Sequence, residues 1–111
     1  MGFECNNTGQ FGVFVVVSTA GEIDLASAPT LDGALAQVVE SGRVDVVVDL
    51  TLVTFLDSSG LGVLVKYFKR VGSAGGQLRL VVTNPAVRQV LELTGLHSVF
   101  AVYDDLDSAL K

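Results

Sequence analysis

An acid, two serines and two spaced glycines stand together in Asp57-Ser58-Ser59-Gly60-Leu61-Gly62. They follow an apolar strand over 44–50 and a short connection, and they open a helix that runs to Val71. Leu61, Leu64, Val65, Phe68 and Val71 recur at the spacing of one buried helix side. Asp57 and Ser58 sit at N-cap positions, where a short side-chain oxygen accepts a hydrogen bond from an orphan backbone N–H. Gly60 and Gly62 keep the first turn free of bulk, so another molecule can approach the backbone closely. The two hydroxyls then have two readings: they are caps and nothing more, or one of them is acted upon. A phosphate on Ser59 would bring about −1.5 to −2 charges and three acceptor oxygens. The helix start would tolerate it, because the phosphate would meet free N–H groups and the positive end of the dipole. Beside Asp57, and with Asp24 as a further acid, the added charge would repel an acidic or apolar partner surface.

Other chemistries fit the residues poorly. Neither serine lies in a Gly-x-Ser-x-Gly elbow. The single histidine, His97, follows a helix end and reads as a structural residue. Asp104, Asp105 and Asp107 read as a helix start, where acids suit the dipole, rather than as metal ligands. A phosphate-cradling glycine loop ahead of a lysine is absent, and Gly60-Leu61-Gly62 lacks the rest of a dinucleotide fingerprint. Asp49, at a strand end, lacks the acidic pair and the strand-end lysine that a phosphoaspartate site uses with Mg²⁺. We expect no catalytic residue, no metal and no cofactor.

The elements around this segment set its frame. The chain has 111 residues, one domain's worth, and half of them are hydrophobic. Its mean hydropathy of +0.55 suggests strands covered on both faces or a sticky surface. No apolar run approaches the roughly 18 residues of a membrane helix, and no signal peptide is visible. The net charge of −5 disfavours nucleic acid. The lone Cys5 excludes an internal disulfide, and a reducing cytoplasm fits.

Residues 3–5 and 11–19 read as strands of a hairpin joined by turn chemistry over 6–10. Gly21-Glu22-Ile23-Asp24 reads as a loop ending in a carboxylate. Ser27-Ala28-Pro29 starts a helix with Ala28, Leu31, Leu35, Val38 and Val39 on one side, stopping at Gly42. Strands follow over 44–50, 77–83 and 99–103. Asn84-Pro85 caps a helix ending at Gly95, and Asp104 and Asp105 start a short terminal one. Strands alternating with helices after an opening hairpin predict an α/β fold with a mixed sheet.

The run Asp49-Leu50-Thr51 … Val53-Thr54-Phe55-Leu56-Asp57-Ser58-Ser59-Gly60-Leu61-Gly62 closely resembles the signature of STAS domains, in particular the bacterial anti-anti-sigma factors. Gly21-Glu22-Ile23-Asp24 resembles a second landmark of that family. Asn84-Pro85-Ala86-Val87 and Leu93-Thr94-Gly95-Leu96 resemble its later helix. The likeness covers nearly the whole chain, as one STAS domain over 1–111.

It implies a mixed sheet of four to five strands with about four helices, packed mainly on one face. It also implies a non-enzyme, an anti-sigma factor antagonist of stress-response type. Such a protein binds an anti-sigma factor, a switch kinase with a histidine-kinase-like ATPase fold, and so frees a sigma factor for transcription. That kinase phosphorylates the second serine, here Ser59, and a PP2C-type phosphatase restores it. By position, Asp24, Asp57 and Ser58 line the docking surface, and Gly60, Leu61 and Gly62 give the close backbone approach. A non-switching STAS partner of an ABC-type lipid-transport ATPase is the alternative. Ala26-Ser27-Ala28 is less acidic and polar than in many relatives.

Overall fold

The computed structural model describes residues 2–111. β1 (Glu4–Phe11) and β2 (Phe14–Ile23) pair antiparallel. α1 (Ala28–Glu40) leads to β3 (Asp45–Leu56), and α2 (Ser58–Ser73) to β4 (Gln77–Val81). α3 (Pro85–Leu93) and a 3-10 turn at Leu96–Ser98 precede β5 (Ala101–Tyr103) and α4 (Leu106–Ala109). The five strands lie in chain order, with β2 to β5 parallel. The predicted α/β class and mixed sheet are what the chain adopts.

The valine strands explain why helices cover both faces. Side chains alternate along a strand, so an unbroken apolar run needs cover on each side. Val15, Val17, Val46, Val48, Leu78 and Leu80 pack under α1, α2 and α3. Phe14, Val16, Val47 and Val81 point the other way and are met by Leu106, Ala109 and Leu110 of α4. Three helices share one face, and the short fourth closes part of the other. Arg79 fastens it: its guanidinium lies 4.5 Å from the Phe14 ring centre and 5.4 Å from that of Tyr103, and it donates to the carbonyl of Ala109 at 2.8 Å.

Several boundaries differ from the sequence reading: β4 ends at Val81 rather than at 83, and β5 begins at Ala101 rather than at 99. The turn expected over 6–10 is part of β1. Asn7 Oδ1 accepts from the Gly9 N–H at 2.9 Å and the pairing register shifts there, so the turn-forming residues make a bulge within a strand. The reversal falls between β1 and β2, where Gly12 has φ +63°. β3 does not end at Leu50 but runs on to Leu56. A register shift opposite Ser18 and Ala20, where Asp49 Oδ1 accepts from the Thr51 N–H at 3.0 Å, bends it without ending it. β2 likewise takes in Gly21, Glu22 and Ile23. These longer strands finish side by side, Ile23 opposite Leu56. Both helix starts that follow therefore emerge at one end of the sheet, where parallel α/β sheets commonly bind their ligands.

Candidate functional site

α2 begins as its sequence requires. Asp57 is the N-cap, and its Oδ1 accepts from the N–H groups of Ser59 at 2.9 Å and Gly60 at 3.4 Å. The Leu61 N–H takes the Asp57 carbonyl at 3.0 Å, and the Asp57 N–H donates to Ile23 at 3.1 Å, tying the two strand ends together. Ser58 is not the cap: it is the first helical residue, and it is exposed. The expectation of free N–H groups for a phosphate also needs correction, because Asp57 already occupies those of Ser59 and Gly60.

Ser59 is half-buried, and among the described residues no group hydrogen-bonds its hydroxyl. It opens into a shallow groove between the starts of α1 and α2, with a volume of about 600 Å³. Leu25, Ala28, Pro29, Asp32, Gly33 and Val63 line the rest. Leu25 is 78 % exposed, an unusual position for so apolar a side chain.

The glycines differ in kind. Gly60 is buried, and a Cβ there would lie 2.5 Å from Ile23 Cγ2 and 2.6 Å from Leu56 Cδ1. The close approach it permits is therefore made by this chain's own core, not by a visitor. Leu61 is also buried in the core. Gly62 is exposed with nothing near its missing Cβ, so it leaves its surface open.

Asp24 belongs to the α1 start. Its Oδ1 accepts from the N–H groups of Ser27 at 3.0 Å and Ala26 at 3.1 Å, and from the Ser27 hydroxyl. The Ser27 N–H above all holds this carboxyl below its ordinary pKa. Asp24 lines a separate, smaller depression with Phe3, Glu22 and Thr30, not the Ser59 groove. Sequence reasoning thus placed Ser59, Asp57, Ser58 and Gly62 at one helix start and Asp24 on the adjoining turn.

It missed the clasp beside them. Tyr67 is 1 % exposed, and its hydroxyl donates to Asp32 Oδ1 at 2.6 Å. Lys66 Nζ donates to Asp32 Oδ2 at 2.9 Å. The Tyr67 bond, then Lys66, keeps the Asp32 carboxyl below its ordinary pKa, while burial, then Asp32, pushes the Tyr67 phenol up. A signal was present: a tyrosine on the apolar side of a helix needs an acceptor for its hydroxyl, and Asp32 interrupts the stripe of α1.

His97 lies in the 3-10 turn after α3, with its ring nitrogen 3.4 Å from the Leu91 carbonyl. Asp105 caps α4 through the Ser108 N–H, and Asp104 pairs with Arg88. Among the described residues no group of three or more potential ligands could hold a metal, and no helix is long and apolar enough to cross a membrane.

The STAS domain family model matches residues 6–109. The chain belongs to the STAS domain family. Within it, the chain is 38 % identical over 88 residues to the anti-sigma-B factor antagonist of Bacillus subtilis, covering 79 % of this chain and 80 % of that protein. It is 34 % identical over 95 residues to the anti-sigma-F factor antagonist RsfB of Mycobacterium tuberculosis, covering 86 % and 77 %. The crystal structure of an anti-sigma factor antagonist from Mycobacterium paratuberculosis superposes with a TM-score of 0.89 at 36 % identity, over 98 % of this chain and 92 % of that one. SpoIIAA in its unphosphorylated form shares the STAS fold at 18 % identity, with a TM-score of 0.71.

Proposed function

We propose that this STAS domain is a cytoplasmic anti-sigma factor antagonist, a binding protein rather than an enzyme, switched by phosphorylation of Ser59. Its partner is an anti-sigma factor with a histidine-kinase-like ATPase fold, which phosphorylates Ser59; a PP2C-type phosphatase reverses the step. The names of its relatives support the partner class. The observation that carries the switch is the Ser59 hydroxyl itself, half-exposed and free of hydrogen bonds at the mouth of a groove. A serine with only a structural role would spend that oxygen on the backbone, as Ser27 does with the Glu22 carbonyl and the Asp24 N–H.

The surface around Ser59 suits a docking patch. Leu25 offers an apolar anchor, and Ser58 and Gly62 leave the outer side of α2 unobstructed. Asp57 caps the helix beside Ser59 and Asp32 lines the groove, so a phosphate there adds like charge to like charge. Binding would fall while the fold stays intact, since the hydroxyl holds nothing together.

The test is calorimetry against an anti-sigma factor of histidine-kinase-like fold from the same organism. Ser59→Ala should bind as tightly as wild type, Ser59→Glu more weakly, and the Ser59 phosphoprotein on the order of 100-fold more weakly. Equal affinities of the phosphorylated and bare proteins would refute the switch.

A further inference from the structure

Three of the four N–H groups at the start of α2 are already taken. Asp57 holds those of Ser59 and Gly60, and its carbonyl holds Leu61. With only the Ser58 N–H left open there, a phosphate on Ser59 draws most of its counter-charge from the groove it faces. The arginines Arg79 and Arg88 are committed to the far parts of the fold, to α4 and to Asp104. Lys66 is the cation joined to the groove, through its bond to Asp32. It stands seven residues after Ser59, two helical turns and about 10.5 Å along the axis, on nearly the same face. Helical side chains lean toward the N-terminus, so from its place at Asp32 the ammonium can swing toward Ser59. Its partner Asp32 lines the same groove as Ser59.

We propose that Lys66 is the internal counter-ion of phosphorylated Ser59, shared with or drawn from Asp32. This rests on Ser59 carrying a phosphate, whichever enzyme supplies it. Lys66 is free to move, because its side chain is 53 % exposed. Asp32 tolerates the loss, because the Tyr67 hydroxyl still donates to it at 2.6 Å and keeps α1 and α2 joined. A dianionic ester outcompetes a carboxylate for an ammonium by charge alone. The charged groups facing this space are Asp32 from α1, Asp57 at the α2 start, and Lys66 and Tyr67 from α2, with Arg70 one turn farther along. The phosphoprotein therefore shows a partner less than the full added charge, and Lys66 sets how much.

The experiment installs phosphoserine at position 59 during translation, so that no kinase is needed and a failure of the signalling assignment stays separate. Phosphorus NMR titration reads the phosphate's second pKa at low ionic strength. Wild type should titrate about half a unit below Lys66→Met and Lys66→Gln, as expected for one nearby cation. Lys66→Arg should restore the wild-type value, and Lys69→Met, a charge lost from the same exposed helix, should leave it unchanged. Circular dichroism of each variant checks that the fold is kept. A second pKa identical in wild type, Lys66→Met and Lys66→Gln, or one moved equally by Lys69→Met, would overturn the assignment.

Discussion

Two helix starts face each other across the groove, and they use the same residue types to opposite ends. At α1, Ser27 is fully engaged: its hydroxyl donates to the Glu22 carbonyl at 2.7 Å, accepts from the Asp24 N–H at 2.9 Å and meets the Asp24 carboxylate. At α2 the neighbouring acid, Asp57, caps the helix alone and leaves the Ser59 hydroxyl idle. The glycines invert the pattern. Gly33 of α1 is exposed with open space where a Cβ would stand, while Gly60 of α2 is pressed onto Ile23 and Leu56. The α2 start thus fixes its backbone firmly so that one hydroxyl can stay uncommitted, whereas the α1 start commits its serine to its own turn.

The glycines give the largest test of that contrast. Gly60→Ala should lower stability by about 2 kcal/mol through overpacking against Ile23 and Leu56. Gly33→Ala and Gly62→Ala should each raise it by about 0.5–1 kcal/mol, since alanine favours a helix and meets nothing. Urea unfolding of the three variants would decide; a neutral Gly60→Ala would show that the α2 start is looser than described. The serines come next. Ser27→Ala should cost about 1 kcal/mol, and Ser59→Ala should stay within about 0.5 kcal/mol of wild type. Similar losses for the two would mean that Ser59 is a structural serine after all.

The smallest effect concerns acid. Asp24 and Asp32 both titrate below an ordinary carboxyl when folded, Asp24 through the Ser27 N–H and Asp32 through Tyr67. The unfolded chain binds their protons first, so their stabilisation is complete above about pH 4 and fades as the pH falls through the lower folded values. Asp24→Asn and Asp32→Asn should each flatten the acid limb of the stability curve. An acid limb as steep as wild type in both would remove these carboxyls from the account.

The α2 start was legible because its signals are local: a capping acid, an apolar stripe and glycines within one turn. The paired valine strands were legible for the same reason. What escaped was set by distant neighbours. Nothing next to Gly60 in the chain announces Ile23, and the bond from Tyr67 to Asp32 spans two helices. Asn7 and Gly9 carry turn chemistry that β2, by pairing across them, converts into a bulge. Leu50 looked terminal because the valine-rich run stops at Thr51, yet β2 continues to pair with the chain as far as Leu56.

Strands in the order β1-β2-β3-β4-β5 leave no gap for a later segment to fill. Each new strand can dock beside its immediate predecessor while the ribosome is still extending the chain, and the growing edge always accepts the next arrival. The α1–α2 pair is complete before β4 is made, so the groove can form early during synthesis, with the cover of α4 added last.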